Sequence, residues 1–197
     1  MDERLQQKLV ERYPEIFRDY GGDMRYTCMA WGIECGDGWF ELLNSMCHDV
    51  VKLCGDKDIQ MVAHQVKEKF GGLRFYFGVE SKYTILKRLD IKIRNLFFSH
   101  KFGIPYWKIV KFRRKIWKTI EEKISDRIDQ AEIESEKTCE ACGKPGKMRG
   151  GSWIYTACDS CEAKYTEGKR RWKNPEEFPS VYEQLFGEDS YGKSLMP

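Results

Sequence analysis

Two closely spaced cysteine pairs constrain the fold of this chain more than any other feature. Cys139 and Cys142 form the first Cys-x2-Cys pair, Cys158 and Cys161 form the second, and fifteen residues separate the two pairs. Four thiolates at about 2.3 Å complete the tetrahedral shell of a structural zinc ion, and each short pair supplies two of them from one turn. The spacing therefore predicts a structural Zn²⁺ site. A catalytic zinc is not expected, because four cysteines leave no coordination position for water.

The residues around the pairs predict a four-cysteine zinc module at 137–170. Gly143 and Gly146 suit a tight turn after the first pair. Residues 147–157 favour a β-hairpin that turns at Gly150-Gly151, and the second pair opens a helix-compatible segment. A turn, a hairpin and a helix in this order predict a treble-clef-like or ribbon-like module.

Composition favours a folded protein of a reducing compartment. Hydrophobic residues make up 41% and aromatic residues 14% of the 197 positions, which is enough for a core. No apolar run approaches the roughly 20 residues that span a bilayer, and the first eight residues lack the apolar core of a signal peptide. We therefore expect a cytoplasmic protein without disulfides.

Residues 1–80 predict a small domain of the α+β class. A first helix is expected over 3–13. A second helix is expected over 39–53, because its apolar residues share one stripe. The stripe consists of Phe40, Leu43, Cys47, Val50 and Val51. Residues 59–66 and 73–79 flank Phe70-Gly71-Gly72 and predict a β-hairpin, with alternating apolar residues marking a half-buried strand.

The net charge of +3 conceals an uneven distribution along the chain. Residues 80–128 carry 14 Lys/Arg against 5 Asp/Glu, a net charge of +9, whereas the segments before and after each carry −3. Within 81–136 the sequence predicts two helices, 83–100 and 106–134, separated by Gly103 and Pro105. This basic helical segment is predicted to lie between the N-terminal domain and the zinc module.

The second basic helix is amphipathic, with isoleucines at steps of four or seven from Ile109 to Ile128. Four interpretations remain open for it: packing on the main domain, binding of an acidic protein surface, contact of residues 82–127 with nucleic-acid phosphates, and membrane-surface binding. The candidate partner-binding residues are Trp107, Lys111, Arg113, Arg114, Lys115, Trp117 and Lys118.

The sequence contains no complete catalytic constellation. Asp49 with Gln65 and Lys67 is similar to the acidic and Gln-x-Lys arrangement of certain metal-dependent nucleases, in which a carboxylate binds Mg²⁺. The glycines of Gly36-Asp37-Gly38 could present N–H groups to a small phosphate ligand. Because an acidic residue disfavours an anion, Asp37 is instead expected to cap the following helix.

Two long phrases resemble a known group of proteins. Trp31-Gly-Ile-Glu-Cys-Gly-Asp-Gly-Trp39 and Gln65-Val-Lys-Glu-Lys-Phe-Gly-Gly-Leu-Arg-Phe-Tyr76, together with the paired cysteines, resemble small uncharacterised proteins of bacteriophages and prophages. The resemblance covers about residues 5–80 and 125–166. Residues 81–123 depart from that pattern and are expected to be an insertion. The resemblance implies expression in the cytoplasm of a bacterial host.

Together with this resemblance, these observations favour a non-enzymatic phage accessory protein that binds a host macromolecule. By analogy with other small accessory phage proteins, the resemblance implies an inhibitor of host antiphage defence. Nucleic-acid binding through the basic segment is the second hypothesis, and a metal-dependent nuclease and a small phosphate-ligand binder are further alternatives. The expected partner is a host protein or nucleic acid. The tail, residues 171–197, is predicted to add one short helix around 181–186.

Overall fold

The computed structural model of the protein describes residues 1–82, 85–150 and 153–173. Residues 1–157 form one compact unit, and a second unit begins at Cys158. The short helix predicted around 181–186 lies outside the described residues. No helix in the described part of the chain is both long and apolar enough to cross a membrane.

The first unit has the predicted α+β architecture, built on a three-stranded sheet. Strand β1 (Ile33–Glu34) pairs in parallel with β2 (Gln60–Lys69), and β2 pairs antiparallel with β3 (Gly72–Glu80). The strand order is β1-β2-β3. A second, two-stranded sheet contains β4 (Lys147–Arg149) and β5 (Tyr155–Ala157). Both predicted hairpins are therefore confirmed, and Gly151 of the turn predicted at Gly150-Gly151 lies outside the described residues.

Five helices accompany the sheets in the described residues, and their positions agree closely with the sequence patterns. They are α1 (Glu3–Arg12), α2 (Phe40–Cys54), α3 (Ile85–Phe102), α4 (Tyr106–Ser135) and α5 (Asp159–Lys173). Proline sets the start of α4, because a residue without an N–H group is tolerated at a helix N-terminus. Pro105 occupies this N-cap position.

The turn of the β2–β3 hairpin explains its glycine-rich sequence. Lys69 pairs with Gly72, so Phe70 and Gly71 form a two-residue loop. Both have positive φ angles, 55° and 79°, as expected for a type I′ turn whose twist matches the adjoining strands. The Gly71 N–H also donates to a Glu68 carboxylate oxygen at 2.7 Å. Local chemistry therefore fixes the register of this hairpin.

The hydrophobic core extends beyond the N-terminal 80 residues into the second half of α4. Ile120, Ile124, Ile128 and Ala131 belong to the same buried cluster as residues from α1, α2 and the sheet. Helix α4 packs against both α2 and β3. Ser135, fully buried at its end, accepts the Leu73 N–H at 2.8 Å. The later part of α4 is therefore structural.

The predicted apolar stripe of α2 is correct in its centre and wrong at one position. Leu43, Cys47 and Val50 are buried, but Val51 has 43% of its surface exposed. Met46 and Cys54 are buried in addition. Val51 lies about 100° around the helix from Val50, at the edge of the buried stripe, whereas the adjacent Met46 and Cys47 lie on either side of its centre and are both buried.

Candidate functional site

The four C-terminal cysteines form a cluster that could hold a metal ion. The Sγ atoms of Cys139, Cys142, Cys158 and Cys161 all lie within 4.8 Å of one another. This is the group predicted from spacing. Among the described residues, no other group of three or more His, Cys, Asp or Glu side chains brings its ligand atoms close enough together to hold one metal ion. The donor set is all sulfur, which suits a soft or borderline ion.

Backbone hydrogen bonds shape the turn that carries the first cysteine pair. We call residues 138–146 the knuckle. The Cys139 N–H donates to the Lys144 carbonyl, and the Gly143 N–H donates to the Cys139 carbonyl, both at 2.8 Å. Gly143 has a φ of 74°, which explains the glycine at this position. These backbone hydrogen bonds order the turn, and the Sγ atoms of Cys139 and Cys142 lie close together in it.

The knuckle is clamped onto the residues that precede α2. Glu140, between the two cysteines, accepts the Gly38 N–H on its carbonyl at 2.7 Å and the Gly36 N–H on its carboxylate at 2.8 Å. The indole N–H of buried Trp39 donates to the Thr138 carbonyl at 2.8 Å. Burial raises the pKa of the Glu140 carboxyl. Three hydrogen bonds thus join the knuckle to residues 36–39, which directly precede α2.

This clamp gives the Gly36-Asp37-Gly38 sequence a structural role. Two N–H donors that were candidates for a phosphate ligand already donate to Glu140. The prediction that Asp37 caps the next helix is wrong. Asp37 lies in a 3₁₀ turn before α2, and its carboxylate accepts the Asp2 N–H at 2.6 Å. The residue at the N-cap position of α2 is Trp39, and its side chain makes no capping hydrogen bond among the described residues.

The second cysteine pair lies where α5 begins, as the sequence predicts. Cys158 directly precedes the helix, and its carbonyl accepts the Glu162 N–H at 2.9 Å. Its Sγ lies 3.1 Å from the Ser160 hydroxyl. Cys161 falls in the first turn, so both thiols lie near the positive end of the helix dipole, which favours thiolates.

The other four cysteines have surroundings that do not favour metal binding. Cys35, Cys47 and Cys54 are buried, whereas Cys28 is exposed. Burial raises the pKa of Cys35 to about 12 and also raises the pKa of Cys47. A cysteine binds a metal ion as its thiolate, and a raised pKa keeps the Cys35 and Cys47 thiols protonated. These buried thiols therefore act as small apolar side chains.

The residues proposed for a nuclease are placed in different interactions. Asp49, on α2, accepts a 2.8 Å hydrogen bond from Arg127 of α4, and this bond lowers the pKa of the carboxyl. Gln65 and Lys67 lie on β2, and the Lys67 ammonium lies 5.5 Å from the centre of the Tyr76 ring. Asp49 therefore has a structural partner, and no described group of acidic residues accompanies it as a metal site.

The first three turns of α4 present exposed basic and aromatic side chains. Trp107 and Phe112 have 61% and 64% of their surfaces exposed. Trp107, Lys111, Arg114 and Lys118 recur at steps of four, three and four, so they share one helix face, which we call the outward row. Lys115 is exposed beside this row. Lys118 lies 3.8 Å from Glu122 in an exposed ion pair.

A second face of the same helix lines a groove. The groove has a volume of about 610 Å³ and lies between α3, the first half of α4 and the loop before β2. Arg113, Arg114 and Trp117 contribute to its lining. Trp117 also packs against the hydrophobic core. The predicted partner-binding residues therefore lie on two faces of α4, the outward row and the groove lining. Arg114 belongs to both, and Trp117 contacts the core as well as the groove.

Comparison with protein-family models, curated proteins and solved structures found no match to this chain.

Proposed function

We propose that this chain is a non-enzymatic binding protein, stabilised by a structural zinc ion, that recognises an acidic surface of a host protein through α3 and the first half of α4. The observation that carries the proposal is the change of environment along α4. From Ile120 onward the inner face of α4 is buried in the core, at Ile120, Ile124, Ile128 and Ala131. The first three turns instead expose Trp107, Phe112 and a cluster of cations. A solvated structural helix does not require large exposed aromatic side chains.

Zinc is the metal that best fits the four-cysteine cluster. Four thiolates in two Cys-x2-Cys turns satisfy tetrahedral Zn²⁺ without a free position, so the ion would stabilise the fold and would not activate water. Three hydrogen bonds join the knuckle to residues 36–39, so an ion that stabilises the knuckle would also stabilise the residues directly before α2. This role is structural and supports a binding function.

A protein partner fits the surface better than nucleic acid does. Exposed aliphatic and aromatic side chains can act as apolar anchors in a protein interface. Ile93 and Leu96 of α3 are also exposed, with 64% and 47% of their surfaces accessible to solvent. Asp56 and Asp58 line the adjoining groove, where carboxylates would repel a phosphate backbone. The resemblance to phage proteins supports a bacterial host target and an anti-defence role.

The test is an affinity pull-down from bacterial lysate with nuclease added. Three baits are compared: the intact chain, Lys111→Glu/Lys118→Glu on the outward row, and a matched Lys8→Glu/Lys52→Glu control on exposed positions of α1 and α2. We expect the recovery of one protein prey to be unchanged by nuclease and to fall about tenfold or more with the row variant only. A tenfold change in affinity corresponds to about 1.4 kcal/mol of binding free energy.

Two results would contradict this proposal. Nuclease-sensitive recovery would replace it with the nucleic-acid hypothesis, for which binding should also weaken steeply with salt. Equal recovery with the two charge-reversed baits would show that the outward row does not bind the prey.

A further inference from the structure

The groove beside α4 has an apolar floor. Ile59 from the loop before β2, Ile91 from α3, and Val110 and Trp117 from α4 contribute to its lining. Its volume of about 610 Å³ is within the range of about 300 to 1,000 Å³ that binding pockets usually have. The floor can therefore receive several apolar side chains of a binding partner.

Cations from both helices line this floor. Lys92 lies on α3, and Arg113 and Arg114 lie on α4. The structure records no ion pair for these three side chains among the described residues. Two carboxylates, Asp56 and Asp58, also line the groove, beside Lys57. The lining therefore has an excess of positive charge together with two negative groups.

We propose that this groove binds an acidic amphipathic helix of the partner protein. This inference rests on the proposed function and specifies the chemistry of the partner. An amphipathic helix places apolar side chains at i, i+3, i+4 and i+7 into an apolar groove and keeps its polar residues outside. Glutamates flanking that apolar stripe would meet Lys92, Arg113 and Arg114.

Length and charge support this occupant. The α4 residues of the groove extend from Tyr106 to Trp117, which is about 16 Å of helix at 1.5 Å per residue, or three turns of a partner helix. A uniformly anionic ligand, such as a nucleic-acid backbone, would meet Asp56 and Asp58 unfavourably. A peptide helix can instead place a basic or neutral residue beside those carboxylates.

The direct test measures fluorescence anisotropy with a labelled synthetic helix of about 15 residues. The probe has leucine and phenylalanine on one stripe and glutamate on the other faces. One control peptide has the same composition with the apolar residues scattered, and a second has lysine in place of glutamate. We expect the intact chain to bind the acidic amphipathic probe at least about tenfold more tightly than either control peptide.

Protein variants locate the binding site. Arg113→Glu in the groove should weaken probe binding about tenfold or more, whereas Lys108→Glu, with the same charge change on an exposed position outside the groove lining, should leave it within about twofold. Val110→Glu provides a second groove variant, because it places a carboxylate in the apolar floor. Melting curves establish that each variant is folded.

Several results would overturn the groove inference. No probe binding up to about 100 µM protein, equal binding of the scattered peptide, or equal loss with Arg113→Glu and Lys108→Glu would each exclude this site. Preferential binding of a duplex DNA probe, abolished by Arg113→Glu, would assign the groove to nucleic acid instead.

The pull-down distinguishes this failure from failure of the proposed function. If Lys111→Glu/Lys118→Glu loses the host prey and Arg113→Glu retains it, partner binding stands and the groove inference is wrong. If both variants retain the prey, both the binding surface and the groove assignment fail.

Discussion

Replacing Gly38 with alanine should separate the knuckle from the start of α2. A Cβ atom at this position would lie 2.2 Å from the Cys139 carbonyl oxygen, 2.4 Å from the Gly143 nitrogen and 2.7 Å from the Cys142 nitrogen. All three are backbone atoms of the knuckle, so no side-chain rotation relieves the overlap. Because contacts under 3.0 Å are essentially never seen for a real Cβ, the knuckle must move by about 0.8 Å or more.

The magnitude follows from the contacts that this movement breaks. The Gly38 N–H···O bond to Glu140 is 2.7 Å long, and the Gly36 and Trp39 bonds to the knuckle are each 2.8 Å. Three hydrogen bonds at about 1 kcal/mol each give about 3 kcal/mol. Alanine also restricts the unfolded chain, which offsets about 0.5 to 1 kcal/mol. We therefore expect a net loss of about 2 to 2.5 kcal/mol in the free energy of unfolding.

Thermal melting of the zinc-loaded protein measures this loss. For a protein of this size, about 2 to 2.5 kcal/mol corresponds to a decrease of about 4 to 10 °C in Tm. Gly150→Ala is the matched control, since a Cβ there would meet nothing within 4 Å. Gly38→Ala should also release zinc at a lower chelator concentration, because the clamp supports Cys139 and Cys142. A Tm within about 2 °C of the unmodified protein would refute the clamp.

Three further substitutions test separate parts of the argument. Cys142→Ser should lose bound zinc and lower Tm, whereas Cys28→Ser, at another exposed cysteine, should retain about one zinc per chain by elemental analysis. Urea unfolding should show a loss of about 2 to 3 kcal/mol for Trp117→Ala, which removes a core contact, and under about 0.5 kcal/mol for the exposed Trp107→Ala. Asp49→Asn should cost about 0.5 to 1 kcal/mol at pH 7, a small value because the carboxylate is partly exposed. The hydrogen bond from Arg127 lowers the pKa of the Asp49 carboxyl in the folded state. The stability that this ion pair adds is therefore fully present above the ordinary pKa of 3.8 and is lost as pH falls through the lower folded-state pKa. If the stability difference between Asp49→Asn and the unmodified protein grew on acidification, the ion pair would not be its cause.

Elements defined by short-range patterns were predictable from the sequence. The β2–β3 hairpin follows from the alternation of Leu73, Phe75 and Phe77 after Phe70-Gly71, because a two-residue turn fixes which residues face each other. The four-cysteine cluster follows equally from two local Cys-x2-Cys turns, whose pairing needs no long-range information. In both cases the residues that determine the geometry are close in sequence.

Contacts between distant residues were not predictable in the same way. Glu140 and Gly36 are 104 positions apart, and nothing in either local sequence indicates that a carboxylate will accept that N–H. Strand β1 has only two residues and pairs in parallel with a strand that begins 26 positions after it ends. Such a short segment carries too few side chains to show an alternating pattern.

Helix α4 shows why periodicity identified a buried face without identifying where burial stops. Isoleucines continue along one face from Ile109 to Ile128, yet Ile116 is 37% exposed and Ile124 is fully buried. A periodic pattern indicates which side of a helix is apolar, but the neighbouring elements decide which turns they cover. The apolar face of the first turns is therefore available to the groove. One continuous helix carries both core residues and candidate binding residues, so a partner contacting Arg113 would bind a helical extension of the folded domain.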